Sequence, residues 1–230
     1  MPNPQKNQQG ISLFVVLIIV LLSTLFVLWS SRKALFNEMV VGNDADYQRA
    51  FEAAQAMVQD AELDVSGERL DGSLCRPDPS KPNTCRVATN VWFPEDGTKV
   101  TAVLNQLEAQ TTGCLLGICT KRVGNQDFWN DASTLNAMQA TGARFGQFTG
   151  AVAGSGNIIL SNTSNNQGAW YWVEILPYDT TPGNLLAGAP KIELNINPAI
   201  VYRITAIARG LRPGTQVVLQ STLARQKMKD

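Results

Sequence analysis

The sequence contains no histidine. That absence removes every Ser-His or Cys-His nucleophile and every His-ligated metal site. Gly-rich phosphate loops are missing too. Gly142, Gly146 and Gly150 are evenly spaced, but they have neither the G-x-G-x-x-G spacing nor a following Lys. No twelve-residue EF-hand pattern occurs, although a calcium site assembled from separate loops leaves no such linear trace. Net charge is absent as well, because 19 basic residues balance 19 acidic ones. A broad electrostatic attraction to nucleic acid or acidic lipid is thereby excluded. No internal repeat with a solenoid period is found. The expectation is a protein that is not an enzyme, holds no cofactor or metal, and works by contact. On this basis Asp44, Asp46, Glu52, Asp60, Glu62 and Asp64 read as a solvated helix face rather than as paired general acids.

What the sequence does hold is an apolar run near its N-terminus, QGISLFVVLIIVLLSTLFVLW, from Gln9 to Trp29. About nineteen near-continuous apolar residues at 1.5 Å rise per residue span roughly the hydrocarbon thickness of a bilayer. The run is read as a single transmembrane segment, Ile11 to Trp29, after a short leader, MPNPQKNQQG. A cleaved secretory signal would have a shorter apolar region ending in small residues, whereas this one ends in Leu28, Trp29, Ser30, Ser31 and Arg32. A plain signal anchor is a competing reading. Basic residues do not settle the orientation, since Lys6 faces Arg32 and Lys33 across the segment.

The helical pattern continues past the apolar run. Phe36, Val40, Tyr47, Phe51, Ala54, Val58, Ala61 and Val65 recur at helical spacing and form one stripe, with the acids and glutamines opposite. One helix is expected from about Ile11 to about Glu62, bent at Gly42-Asn43 and about 75–80 Å long. Residues 30–65 are its amphipathic half, and residues 66–230 are long enough for one domain with its own core.

Turn chemistry follows, with Cys75 and Cys85 bracketing Pro77, Pro79 and Pro82. Cys114 and Cys119 complete a set of four cysteines. In an oxidising compartment disulfides are expected, and three pairings are possible. The sequence-adjacent one, Cys75–Cys85 with Cys114–Cys119, is favoured here. A four-Cys zinc site is the rival, against which stand the absence of C-x2-C spacing and of histidine.

Arg86 to Phe93 reads as a strand, Val100 to Gln110 as a short helix, and Asp127 to Ala140 as a helical segment with Asp131 as a possible cap. Gly142 to Gly156 and Ser161 to Gly168 read as loops around a short strand, Asn157 to Leu160. The last third holds four β-branched and aromatic runs: Ala169–Pro177, Lys191–Asn197, Ile200–Ala208 and Gln216–Leu223. Pro177 to Pro190 is a long connection between them. In the third run Ile200, Tyr202, Ile204, Ala206 and Ala208 alternate with Val201, Arg203, Thr205 and Arg209. One sheet face is therefore expected to be buried beneath the Phe36–Val65 stripe. The fold class is α+β, a long N-terminal helix laid on a C-terminal antiparallel sheet.

Gly10 followed by this helix resembles the processing site of type IV pilins. The stretch MVVGNDADYQRAFEAAQAMVQDAE, Met39 to Glu62, is more narrowly similar to the PilX family of minor pilins, as are YRITAIARG, Tyr202 to Gly210, and VVLQST, Val217 to Thr222. The resemblance implies a type IV pilin-like fold and a prepilin leader, residues 1–10. It also implies cleavage after Gly10 by a prepilin peptidase, and methylation of the new N-terminus at Ile11. Pilins of the fibre shaft carry a Glu at the fifth mature residue; here that residue is Val15. The resemblance further implies an inner-membrane protein whose domain faces the periplasm, then the pilus tip on assembly. Its implied partners are other minor pilins, the tip adhesin and inner-membrane assembly proteins. Two alternatives stand beside it: the tip pseudopilin of a type II secretion system, and a pilus-displayed adhesion or DNA-binding module.

Overall fold

The computed structural model describes residues 9–76, 78–80, 84–87, 89–94, 97–154, 156–177 and 200–225, with side chains from residue 12 onward. The strand expected at Lys191–Asn197 and the connection after Pro177 lie outside the described residues. Two compact units divide the chain between Ala45 and Asp46.

Helix α1 spans Gln9–Ser66 and is α-helical through Gly42 and Asn43. No proline interrupts it. It ends on Gly67, whose φ of 69° no L-residue adopts cheaply. There the amide of Glu68 donates to Leu63 O at 2.9 Å and that of Gly67 to Asp64 O at 3.2 Å, satisfying two terminal carbonyls.

Within the second unit a five-stranded sheet has the order β1-β2-β3-β4-β5. Its strands are β1 (Cys114–Leu115), β2 (Ile118–Thr120), β3 (Ala169–Pro177), β4 (Ile200–Arg209) and β5 (Gln216–Leu223). All neighbours pair antiparallel except β2 with β3, which are parallel. The β1–β2 hairpin was not expected from the sequence. Its two-residue turn, Leu116-Gly117, has φ of 52° and 80°, the positive pair that hairpin twist demands.

The Asp46–Ser66 part of α1 lies over one face of the sheet. Its buried residues Ala50, Ala53, Ala54, Met57, Ala61 and Val65 share one core with Tyr171, Val173 and Ile175 of β3 and Tyr202, Ile204 and Ala206 of β4. Helix α2 (Gly97–Glu108) adds Val103 and Leu107 to that core. The expected stripe is displaced around the helix: Ala54, Ala61 and Val65 are buried, but Tyr47 is exposed, and Phe51 and Val58 flank the core. Small alanines at the centre let helix and sheet approach closely, which pushes the larger side chains to the rim.

Both faces of the sheet are buried, where one was expected. Trp170 and Trp172 of β3 and Ile207 of β4 pack on the other side against Phe128, Leu135 and Met138. These three come from a short 3-10 turn, Phe128–Asn130, and helix α3, Ala132–Gln139. Asp131 caps α3 by accepting from Thr134 N at 2.7 Å.

Two expected strands take other forms. Where a strand was expected over Arg86–Phe93, Arg86 instead closes a 3-10 turn, Thr84–Arg86, and the described residues that follow join no ladder. Cys85 and Arg86 have φ of 63° and 54°, which a strand cannot accommodate. Ile158–Ser161 is a single helical turn, α4. Asn157 starts it by accepting from Ile159 N at 3.1 Å, and its amide nitrogen donates to Arg49 O at 2.8 Å, tying the turn to α1.

Candidate assembly surfaces

In the first unit, Leu13 to Leu28 present large apolar side chains that are all exposed, Val15 among them. Nothing charged lies between Gly10 and Ser31. The hydroxyls of Ser23 and Thr24 donate back to Val20 O and Leu21 O, at 2.9 and 2.8 Å. The only polar side chains between Leu13 and Leu28 therefore cost little in hydrocarbon. At its far end the Lys33 ammonium lies 4.6 Å from the centroid of the Trp29 ring, the pairing of aromatic and base expected at a membrane boundary. Gly10 and Ile11 occupy the first turn of α1.

The second unit is fastened by acids that the sequence reading placed on a solvated face. Asp44 and Glu52 are indeed exposed, and Glu62 is partly so, but Asp46, Asp60 and Asp64 are buried. Asp46, Ala50, Ala53, Met57, Asp60 and Asp64 advance by four and three residues in turn, so these three acids share the helix face that meets the sheet. Their phase with the alanines was the available signal.

Each acid holds a different segment to α1. Asp46 accepts from Leu211 N and Arg212 N, at 2.8 and 3.1 Å, and so grips the turn between β4 and β5. Burial pushes its carboxyl up, but these amides and the Thr215 hydroxyl outweigh that and hold it below the usual range. Gly210 is required there, because a Cβ would collide with the Asp46 carboxylate and with Thr215.

Asp60 accepts from Gly146 N at 2.8 Å and from the Thr149 hydroxyl, fixing the 144–150 segment. Asp64 receives Arg86 bidentately, Nε at 2.9 Å on Oδ1 and Nη2 at 2.6 Å on Oδ2, and the Tyr171 hydroxyl at 2.7 Å. The Arg86 guanidinium also donates to Leu116 O at 3.1 Å and lies 3.7 Å from the Phe148 ring centroid. Burial opposes its charge, but Asp64 more than compensates and keeps it protonated. Burial raises Tyr171 well above the ordinary phenol, so it remains a donor.

Burial raises Asp60 to about 6 from 3.8, with a further push from Asp64 against the two hydrogen bonds. The folded state thus holds this proton at a pH where the unfolded chain has released it. Stability should therefore fall as pH rises from about 4 to about 6, by at most roughly 3 kcal/mol, and level off above. Asp46, Asp71 and Asp131 are shifted downward and act below that window. Denaturation of the wild type and of Asp60→Asn across pH 4–7 should show a decline in the former that is flattened in the latter.

Disulfides link Cys75 to Cys85 and Cys114 to Cys119. The first closes the loop that delivers Arg86, and the second staples the β1–β2 hairpin. Loops this short contribute about 2–3 kcal/mol each in the chain-entropy model. On the opposite sheet face Glu174 accepts from Arg203, at 2.6 and 2.8 Å, and from Arg122 N at 3.0 Å, joining β3, β4 and the segment after β2.

Two family models match this chain: PilX N-terminal over residues 9–59, and type IV pilus assembly protein PilX C-terminal over 115–225. The chain belongs to the PilX family. No curated protein and no solved structure matches it. As a PilX-family protein it is a type IV pilus minor pilin, a structural component that interacts with other pilus components, and its apolar helix fits a single-pass membrane anchor. The N-terminal PilX match contains Gly10, Val15 and Asp46, and the C-terminal one contains the whole sheet except Cys114. Asp60, Asp64, Arg86 and the Cys75–Cys85 bond lie between the two matches.

Proposed function

We propose that this minor pilin acts in the initiation of pilus assembly and in the tip complex, and that its prepilin leader is removed after Gly10 to give a methylated Ile11. In this reading residues 1–10 are the leader, 11–29 cross the inner membrane, 30–65 continue the helix and 66–230 form a periplasmic domain. The observation that carries it is Val15, an apolar residue in the run of exposed apolar side chains from Leu13 to Leu22. A subunit repeating through a fibre shaft needs an acid there to neutralise its neighbour's N-terminal amine, because an unpaired charge in a low-dielectric helix bundle is costly. Val15 offers none, while the amine of Ile11 remains free to pair with another subunit's acid. Such a subunit suits an end of the fibre. On assembly its helix exchanges lipid contacts for helix contacts, and the periplasmic domain chooses neighbours among the other minor pilins, the tip adhesin and the inner-membrane assembly proteins.

The test is Val15→Glu. The variant should enter the shaft, raising its copy number per pilus by about tenfold or more, since the charge it neutralises is worth several kcal/mol in such surroundings. Quantitative immunoblotting of sheared pili reads this directly. Unchanged copy number and assembly order would remove the support for a place at the tip.

A further inference from the structure

The loop 161–168 reads as a flexible connection by composition, yet it is held at many points. Arg144, stacked 4.1 Å from the Trp170 ring centroid, donates from Nη1 to Asn162 O and Gln167 O, at 3.2 and 2.8 Å. Arg209 Nη1 donates to Asn166 O at 3.1 Å, and Gln139 Nε2 to Asn166 Oδ1 at 3.0 Å. Within the loop Asn162 Nδ2 donates to Gln167 Oε1 at 2.9 Å. Gly168, at φ 90°, has no room for a side chain between Asn162 O and Arg144. The facing turn, 210–215, is fixed by Asp46 as described. Both walls of the groove between them are therefore preset.

This groove, of about 430 Å³, has no carboxylate in its lining among the described residues. Its polar groups are half used. Asn166 spends its amide oxygen on Gln139 of α3 and Gln167 spends its own on Asn162 within the loop, and both keep their NH2 donors, while Gln216 spends its nitrogen on Trp129 O at 3.5 Å and keeps its oxygen. Asn165 makes no side-chain hydrogen bond among the described residues. Arg209 spends one N–H on Asn166 O and faces no carboxylate among the described residues, and burial alone pulls its guanidinium below the ordinary value. Asp46, behind the turn, has both oxygens on the backbone of that turn.

We infer that this groove binds an extended, carboxylate-bearing peptide segment of another pilus subunit, with Arg209 taking the carboxylate and the carboxamides taking the peptide backbone. Amides paired as donor and acceptor match a peptide bond, whereas phosphate presents acceptors only. A polyanion such as nucleic acid also calls for a broad basic field, and this chain has no net charge. The inference deepens the assembly reading above and rests on it.

The test uses the detergent-solubilised full chain and a fluorescent decapeptide alternating Glu and Ala, with a Gln-for-Glu peptide and single-stranded DNA as comparisons. Asn165→Asp with Pro213→Asp places two acids at exposed positions of the groove. The acidic peptide should bind, and both the Gln peptide and the double variant should weaken binding by about tenfold or more at low salt, with thermal unfolding unchanged. Equal affinity for the Gln peptide, no effect of the double variant, preference for DNA, or no binding of the acidic peptide each overturns the inference. Deletion of the whole chain, scored for pili in cells, tests the assembly reading separately. Lost pili together with no peptide binding would sink the groove alone.

Discussion

Asp64→Ala should lower the unfolding free energy by about 3–5 kcal/mol, the cost of leaving a buried charge without its partner. The reason is local. Arg86 is buried, points from a strained turn into the core, and has Asp64 as its counter-ion, with Leu116 O and the Phe148 face as lesser partners. Removing the carboxylate strands both the guanidinium and the Tyr171 hydroxyl, each of which then carries its full desolvation cost. Arg86→Met should be comparably damaging, because it leaves the buried Asp64 carboxyl without its guanidinium partner. The combination Asp64→Leu, Arg86→Met and Tyr171→Phe removes every member together, and should lie closer to wild type than either single variant. Chemical denaturation of the solubilised chain measures all of these. A loss below about 1 kcal/mol for Asp64→Ala would mean that the pair is hydrated and does not organise the core.

This pair also marks what the sequence could and could not reveal. The strands β3, β4 and β5 were legible, because β-branched and aromatic runs bounded by turn residues have few other uses. The long helix was legible for the same kind of reason, as an uninterrupted helical period with no proline. Its phase was less so. Large apolar residues such as Tyr47 and Phe51 drew attention to the flank, while the seam is built from Ala50, Ala53 and Ala54, whose small size records a close approach that composition does not announce. The acids were harder still. An Asp on a helix is usually solvated, and only its register with the alanines distinguishes Asp46, Asp60 and Asp64 from Asp44 and Glu52. The false strand over 86–93 follows from the same blindness: Arg86 is drawn inward by a residue 22 positions earlier, and the backbone turns to deliver it. The Leu116-Gly117 hairpin and the Asn157 cap are short-range chemistry that two or three residues decide; at the cap the β-propensity of Ile158 and Ile159 lost to a helical turn.

At the other end of the chain, Gly10→Val should abolish processing and with it piliation. A bulky residue before the cut blocks the peptidase that the resemblance implies, so the leader with its two prolines and Lys6 stays attached to the apolar helix. A retained leader places Lys6 and a polar segment where the helix must enter a bundle of like helices, and dehydrating that charge is prohibitive. The variant should accumulate in the membrane at full length, with pili missing from cells in which it is the only copy. Normal pili with an uncut chain would separate processing from assembly and remove the rationale for both Ile11 and Val15.

The most direct measurement is the intact mass and N-terminal fragment spectrum of the membrane-extracted protein, from cells with and without a prepilin peptidase. The account predicts a mature chain beginning at N-methyl-Ile11 in the first and the full-length chain in the second. A chain that keeps Met1 to Gly10 in both would contradict it, and would leave an ordinary signal-anchored domain in place of a processed pilin.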